Sequence, residues 1–199
     1  MKFMDNTGIY MEGHVKIKEF LTMEDRELDN PCRILLDKRN SVNPENLSIV
    51  IARGLSNQNN GSIYSMAFGT GGATIDNAGN IQYATPNTLG NASLNNQVYF
   101  KVVNDNSALT NNNIIIIRHI NGVSFSDVEI HCVLGKNEPY GQIATDSTGP
   151  TSTSTQFTFN EIGLKSADGL LLTHITFNPI LKSSNRIFEV VYTIRCNVN

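Results

Sequence analysis

Residues 186–196, "RIFEVVYTIRC", put Phe188, Val190, Tyr192, Ile194 and Cys196 on one side of an extended chain and Ile187, Glu189, Val191, Thr193 and Arg195 on the other. A period of two held this long fits a strand and excludes an amphipathic helix. A one-residue slip would turn the apolar set to the opposite face, so the pairing register is well specified. Such a strand needs neighbours, and the chain supplies candidates in "HVKIKEF", "CRILLDK", "SIYSMAF", "VYFKVV", "NIIIIRHI", "FSDVEIHCVL", "QFTFNEIGL" and "LLLTHITF". In "FSDVEIHCVL" the acids and the histidine are expected to face out. The isoleucine run 114–117 reads as a buried strand. Turn chemistry separates the candidates: Asp76-Asn77-Ala78-Gly79 and Asp168-Gly169 both supply residues suited to hairpin turns.

Only one stretch has helical character. Asn43 can cap a first turn, Pro44 suits the first helical position, and Glu45 favours the positive helix end. Leu47, Val50, Ile51 and Leu55 then recur on one helical face. Gly54 weakens this helix by about 1 kcal/mol relative to Ala unless something packs closely against it. "TMEDRELDNP" reads as a polar loop. The expected fold is therefore mainly β: an antiparallel β-sandwich or barrel-like domain with one helix at about 44–57 and long loops. Residues 1–13 read as an N-terminal arm and 14–199 as a β-rich domain with elaborated loops at about 84–112 and 136–155.

At 199 residues the chain can bury a core without metal or disulfide staples. Charged residues make up only 17%, and the net charge is −3 with no basic block, which argues against a phosphate-tracking nucleic-acid partner. No apolar run reaches the ~20 residues of a membrane helix, and the N-terminus lacks a signal-peptide pattern. The expectation is no nucleic acid and no membrane. Cys32, Cys132 and Cys196 are widely spaced, with no CxxC, and read as buried free thiols.

Catalytic and metal motifs are weak throughout. There is no G-x-S-x-G elbow, and "GTGG" at 69–72 lacks both the Lys-Ser/Thr of a P-loop and the spacing of a dinucleotide fingerprint. It reads as a strand-ending turn. His14, His119, His131 and His174 are dispersed, and His131 and Cys132 point to opposite faces of one strand. "DNAGN" at 76–80 and "NDNS" at 104–107 read as Asx turns rather than calcium sites. Asp127 and Glu129 share a strand face about 7 Å apart, a spacing open to a hydrolase pair but more typical of a solvated face. Glu161 and His174 fall on neighbouring strands, where a cross-strand contact contributes about 0.2–1 kcal/mol. The expected assignment is catalytic residues none, cofactors none and metal none.

The C-terminal text "FNEIGL", "KSADGLLLTHITF", "NPILKS" and "RIFEVVYTIR" resembles a β-module of tailed-bacteriophage virion proteins, similar to one that opens the tail-collar fibre proteins of contractile phages. "LLDKRNSVNPENLSIVIARGL" and "GSIYSMAFGTGG" also resemble phage structural proteins. Tail-collar fibres continue into long repetitive shafts, whereas this sequence closes just after the module, so the expectation is a compact ring, neck or baseplate subunit. The resemblance implies a non-enzymatic structural subunit of the virion, assembled in the host cytoplasm. It implies other virion proteins as partners and a homo-oligomeric ring. The alternatives are a capsid decoration or head-fibre-base protein, a host-surface glycan-binding module, and an enzyme centred on Asp127 and Glu129.

Overall fold

The alternating C-terminal segment forms strand β11 (Ile187–Val198), and its apolar side is buried: Phe188, Val190 and Tyr192 are fully enclosed. The computed structural model describes residues 8–104, 113–139 and 156–198. In chain order they form β1 (Ile9–Phe20), α1 (Met23–Glu27), β2 (Arg33–Val42), α2 (Pro44–Leu55), β3 (Ile63–Gly69), β4 (Ala73–Ile75), β5 (Ile81–Tyr83), β6 (Gln97–Val102), β7 (Ile114–His119), β8 (Phe125–Leu134), β9 (Gln156–Ser166), β10 (Thr173–Ser183) and β11. Nine strands make one antiparallel sheet in the order β6-β3-β9-β10-β2-β1-β11-β8-β7, curled into a half-barrel. β4 and β5 form a separate hairpin.

β1 and β11 pair along their full lengths, from Ile9 with Val198 to Phe20 with Ile187. The first strand thus begins at Ile9, so residues 9–13 of the expected arm belong to the sheet. Residues 1–7 lie outside the described residues, as do 105–112 and 140–155 of the expected long loops.

The sheet has a weak seam. β2 and β10 share only two ladder pairs, Thr173 with Val42 and His174 with Ser41. A four-strand arm (β6-β3-β9-β10) and a five-strand arm (β2-β1-β11-β8-β7) are joined there and face each other over one core. That core takes Met66, Phe68, Phe159 and Ile162 from the first arm and Val15, Ile17, Ile130 and Tyr192 from the second. Phe159 sits at its centre. Its ring lies 5.3 Å from that of Phe68, 5.6 Å from Phe157, 5.9 Å from Phe177 and 6.3 Å from Phe188, centroid to centroid. Side chains also bridge the arms at the far end of the curl. Lys101 of β6 donates to the Val133 carbonyl of β8 at 2.6 Å. Asn113 donates to the Val102 carbonyl and accepts from the Val133 amide.

α2 matches its expected signals. The Asn43 side chain accepts from the Asn46 amide, Pro44 opens the helix, and Leu47 and Val50 are buried. Leu55 departs from the expected apolar face and is 86% exposed. Gly54 has a packing reason: a β-carbon there would lie 3.2 Å from the Gly61 carbonyl. A second, one-turn helix, α1, replaces the expected polar loop. Thr22 caps it, accepting from the Asp25 amide while Asp25 accepts from the Thr22 amide. That reciprocal capping box offsets a very short helix.

β7 also departs from expectation. It pairs only with β8 and lies at the sheet edge, where Ile114 is 49% and Ile117 73% exposed.

Candidate functional site

Glu161 of β9 and His174 of β10 are both completely buried, with the His174 Nε2 2.9 Å from a Glu161 carboxylate oxygen. The surrounding backbone fixes this pair. Glu161 Oε1 accepts from the amides of Gly71 (3.0 Å) and Asn96 (2.8 Å). Its Oε2 accepts from the Asn95 amide (3.0 Å) and the Asn95 side chain (3.1 Å) as well as from His174. His174 Nδ1 accepts from the Asn87 amide at 2.7 Å, so the ring proton sits on Nε2 and is donated to Glu161.

Burial pushes the Glu161 carboxyl up in pKa, but the hydrogen bonds from His174 and from the Asn96, Asn95 and Gly71 amides outweigh it and hold the group below its ordinary 4.5. The "GTGG" segment supplies close approach here. A β-carbon on Gly69 would meet Glu161 Oε1 at 2.3 Å, and one on Gly72 would meet the Asn160 carbonyl at 2.3 Å. Gly69 lets the backbone approach the carboxylate, and Gly72 lets it approach Asn160 beside it. Every acceptor position of Glu161 and both nitrogens of His174 are engaged within the protein. The arrangement staples the connection at 84–96 to the sheet and leaves no lone pair or proton for a substrate.

The other candidates separate by face. Asp127 and Glu129 point outward from β8, each toward a different cation. Arg195 grips Asp127 with Nε at 2.7 Å and Nη2 at 2.8 Å, and this hydrogen bonding, opposed by slight burial, holds the Asp127 carboxyl below its ordinary range. Arg118 bonds Glu129 at 2.6 Å. His131, the next residue on that face, lies 3.2 Å from Glu189, which Arg26 also holds. These carboxylates form an ion-pair lattice over the outer surface of the sheet.

His14 lies on the same surface, 2.7 Å from Asp37, and His119 bonds Ser126 at 2.9 Å. Asp76 accepts from the Ala78 and Asn80 amides as an Asx turn, and Gly79 has φ +85°. The "NDNS" turn lies mostly outside the described residues. Asp168 sits in the β9–β10 connection, bonded by Ser166 and paired with Arg53. Among the described residues no three His, Cys, Asp or Glu side chains converge on a metal position, and no helix is long and apolar enough to cross a membrane.

Open features on the surface include a hollow of about 360 Å³ over the Asp127–Glu129 face, which His14, Arg39 and Arg195 also line. A groove of about 760 Å³ runs between the start of β1 and α2, lined by Ile9, Tyr10, Met11, Ile51 and Leu55. A cleft of about 570 Å³ opens where β2 and β10 diverge beyond their two shared ladder pairs.

Comparison with protein-family models, curated proteins and solved structures yielded no match.

The thiols divide three ways. Cys132 is buried and burial pushes it up to about 12; Cys196 is half-buried and also raised by burial; Cys32 is exposed, against expectation. It follows Pro31, just before β2 leaves the sheet's end. Labelling the native protein with a thiol reagent at neutral pH is expected to give one fast phase from Cys32, a slow one from Cys196 and none from Cys132 until unfolding. A fast phase lost on Cys132→Ser would contradict this.

A buried cation escaped the sequence reading. Lys182 of β10 is 1% exposed and donates to the Gly135 carbonyl at 2.8 Å. Burial is the main cause that lowers it to about 8; Glu138 opposes the shift and Lys101 adds to it. The folded pKa lies below the ordinary 10.5, so the unfolded chain binds more protons between those values. The destabilising effect of Lys182 is full below pH 8 and fades as pH rises toward 10.5. Urea melts of wild type and Lys182→Met should differ by an amount that shifts in favour of wild type on raising the pH across this window, on the order of 1 kcal/mol per pH unit. A pH-independent difference would show that Lys182 titrates normally.

Proposed function

We propose that this chain is a non-enzymatic structural subunit of a tailed-phage virion, forming part of the tail, baseplate or neck by symmetric assembly. The observation that carries the assembly reading is the groove between β1 and α2. It gathers Ile9 (64% exposed), Tyr10 (57%) and Leu55 (86%) around a continuous apolar hollow, and clustered apolar exposure of this kind marks protein contact surfaces. The virion part of the reading rests on the C-terminal pattern 159–195. The buried Glu161–His174 pair supports the non-enzymatic part, because its whole hydrogen-bonding capacity serves the fold.

Mass spectrometry of purified virions should find the chain at a copy number that is a multiple of a ring symmetry, and electron microscopy should place it in the tail, baseplate or neck. Absence from the particle would overturn the proposal. So would a purified chain that hydrolyses glycans or peptides and loses that activity on a single substitution.

A further inference from the structure

The seam between the two arms has a geometry that ordinary sheets avoid. β2 pairs with β1 on one side and β10 pairs with β9 on the other, but their facing edges join only at Thr173–Val42 and His174–Ser41. Beyond that point residues 33–40 of β2 and 175–183 of β10 splay apart, and among the described residues these two edges make no ladder pairs with each other. Unpaired strand edges are templates for another strand. Here two such edges face each other across one cleft, inside the sheet rather than at its rim.

The cleft has a floor and a charged border. Leu36, Phe177 and Ile180 form the floor and pack on the core. Arg33, Lys38 and Arg186 border it, against a single carboxylate, Glu19. Arg33 (2.9 Å) and Arg186 (3.5 Å) already share Glu19. Lys38 has no carboxylate partner among the described residues; it donates to the Thr176 carbonyl at 3.3 Å and lies 5.8 Å from the Tyr83 ring centroid. The cleft therefore carries an excess of positive charge.

We propose that this cleft captures an extended acidic peptide segment from a partner protein, inserted as a strand between β2 and β10. Main-chain bonds to the two free edges supply affinity, and side-chain pockets on alternate residues supply specificity. Because β2 and β10 are antiparallel, the inserted strand runs parallel to one wall and antiparallel to the other. Its inward side chains meet Leu36 and Ile180, and its carboxylates meet Lys38, Arg33 and Arg186. At about 3.3 Å per residue the free edges accommodate a strand of roughly six to eight residues. The inference stands apart from the virion assignment: strand capture would operate in any assembly.

The test uses a fluorescein-labelled decapeptide of alternating Thr and Glu, titrated into the full chain by anisotropy, with hydrogen exchange to map the contact. Saturable binding with protection at the amides of residues 33–40 is expected. An alternating Thr–Lys decapeptide, and a Thr–Glu peptide N-methylated at every second residue, should each bind at least tenfold more weakly. Lys38→Glu should weaken binding at least tenfold through charge. Leu181→Trp, which keeps the charge and fills the cleft, should do the same through shape; circular dichroism confirms that both variants fold. The proposal is overturned by no saturable binding, by equal affinity for the Thr–Lys peptide, or by protection at β6, β7 or the β1–α2 groove instead. It is also overturned by self-association of the free chain that protects residues 33–40, which would make a second copy the occupant. Failure of the peptide leaves the virion assignment untouched, and absence from virions leaves the peptide result untouched.

Discussion

Glu161→Ala is expected to lower the unfolding free energy by about 3–5 kcal/mol, a large part of a typical domain's 5–15 kcal/mol. Removing the carboxylate strands the fully buried His174 Nε2 proton and takes the acceptor from the part-buried Gly71, Asn95 and Asn96 amides. The cost is that of one buried and three part-buried donors losing their acceptor together, which exceeds the loss of one hydrogen bond. Glu161→Gln keeps the shape but places a donor amide among donors, and about 2–3 kcal/mol is expected. Urea melts with unchanged slope would measure both.

The wild-type carboxyl is held below its ordinary 4.5, so its contribution is complete above that value and disappears as pH falls through the lowered folded-state value. The gap between wild type and Glu161→Gln should accordingly narrow in acid. Limited proteolysis should cut Glu161→Ala first within 84–96, because Asn87, Asn95 and Asn96 lose their anchor. A loss under 1 kcal/mol with no new cleavage would show that the pair does not hold that segment.

The depth of this effect exceeds what the sequence suggested. Placing Glu161 and His174 across a hairpin implied an ordinary cross-strand contact of about 0.2–1 kcal/mol. What multiplies it is the backbone of Gly71, Asn87, Asn95 and Asn96, and amide donors carry no residue signature. The glycines of "GTGG" read as a strand-ending turn, and the partner that explains their close approach lies about 90 positions away. Strand faces were readable wherever two residue classes alternate: the burial of β11 and the outward Asp127, Glu129 and His131 follow directly from the pattern. Alternation fails where there is no contrast, as in the four isoleucines of β7. Four apolar residues specify an extended chain but not whether it lies in the middle or at the edge, and the edge prevailed because only β8 pairs with it. The Thr22–Asp25 box was present in the sequence as a helix-start signal, but the turn it begins is too short to show an apolar period. The β2–β10 cleft had no signature either, since it results from pairs that stop forming.

That seam makes Phe159 the second decisive residue. Two shared ladder pairs bind the arms weakly through the backbone, so side-chain packing carries most of their coupling. Phe159 belongs to β9, and the rings around it come from both sides: Phe68, Phe157 and Phe177 from its own arm and Phe188 from the other. Phe159→Ala should cost about 3–5 kcal/mol through lost burial and the cavity left behind. Phe100→Ala, on the outer strand β6 at 43% exposure, should cost well under half as much. The loss should also be uneven in space. β11 pairs with β1 over twelve residues and with β8 over ten, so the five-strand arm keeps its ladders when the shared ring is removed. The four-strand arm has a register shift in each of its three ladders, against one in the five-strand arm between β1 and β2, and has less to fall back on. Hydrogen exchange of Phe159→Ala should therefore accelerate most in β3, β9 and β10 and least in β1 and β11. Uniform acceleration across all nine strands would mean that the arms unfold as one unit and that the seam is no weaker than the rest of the sheet.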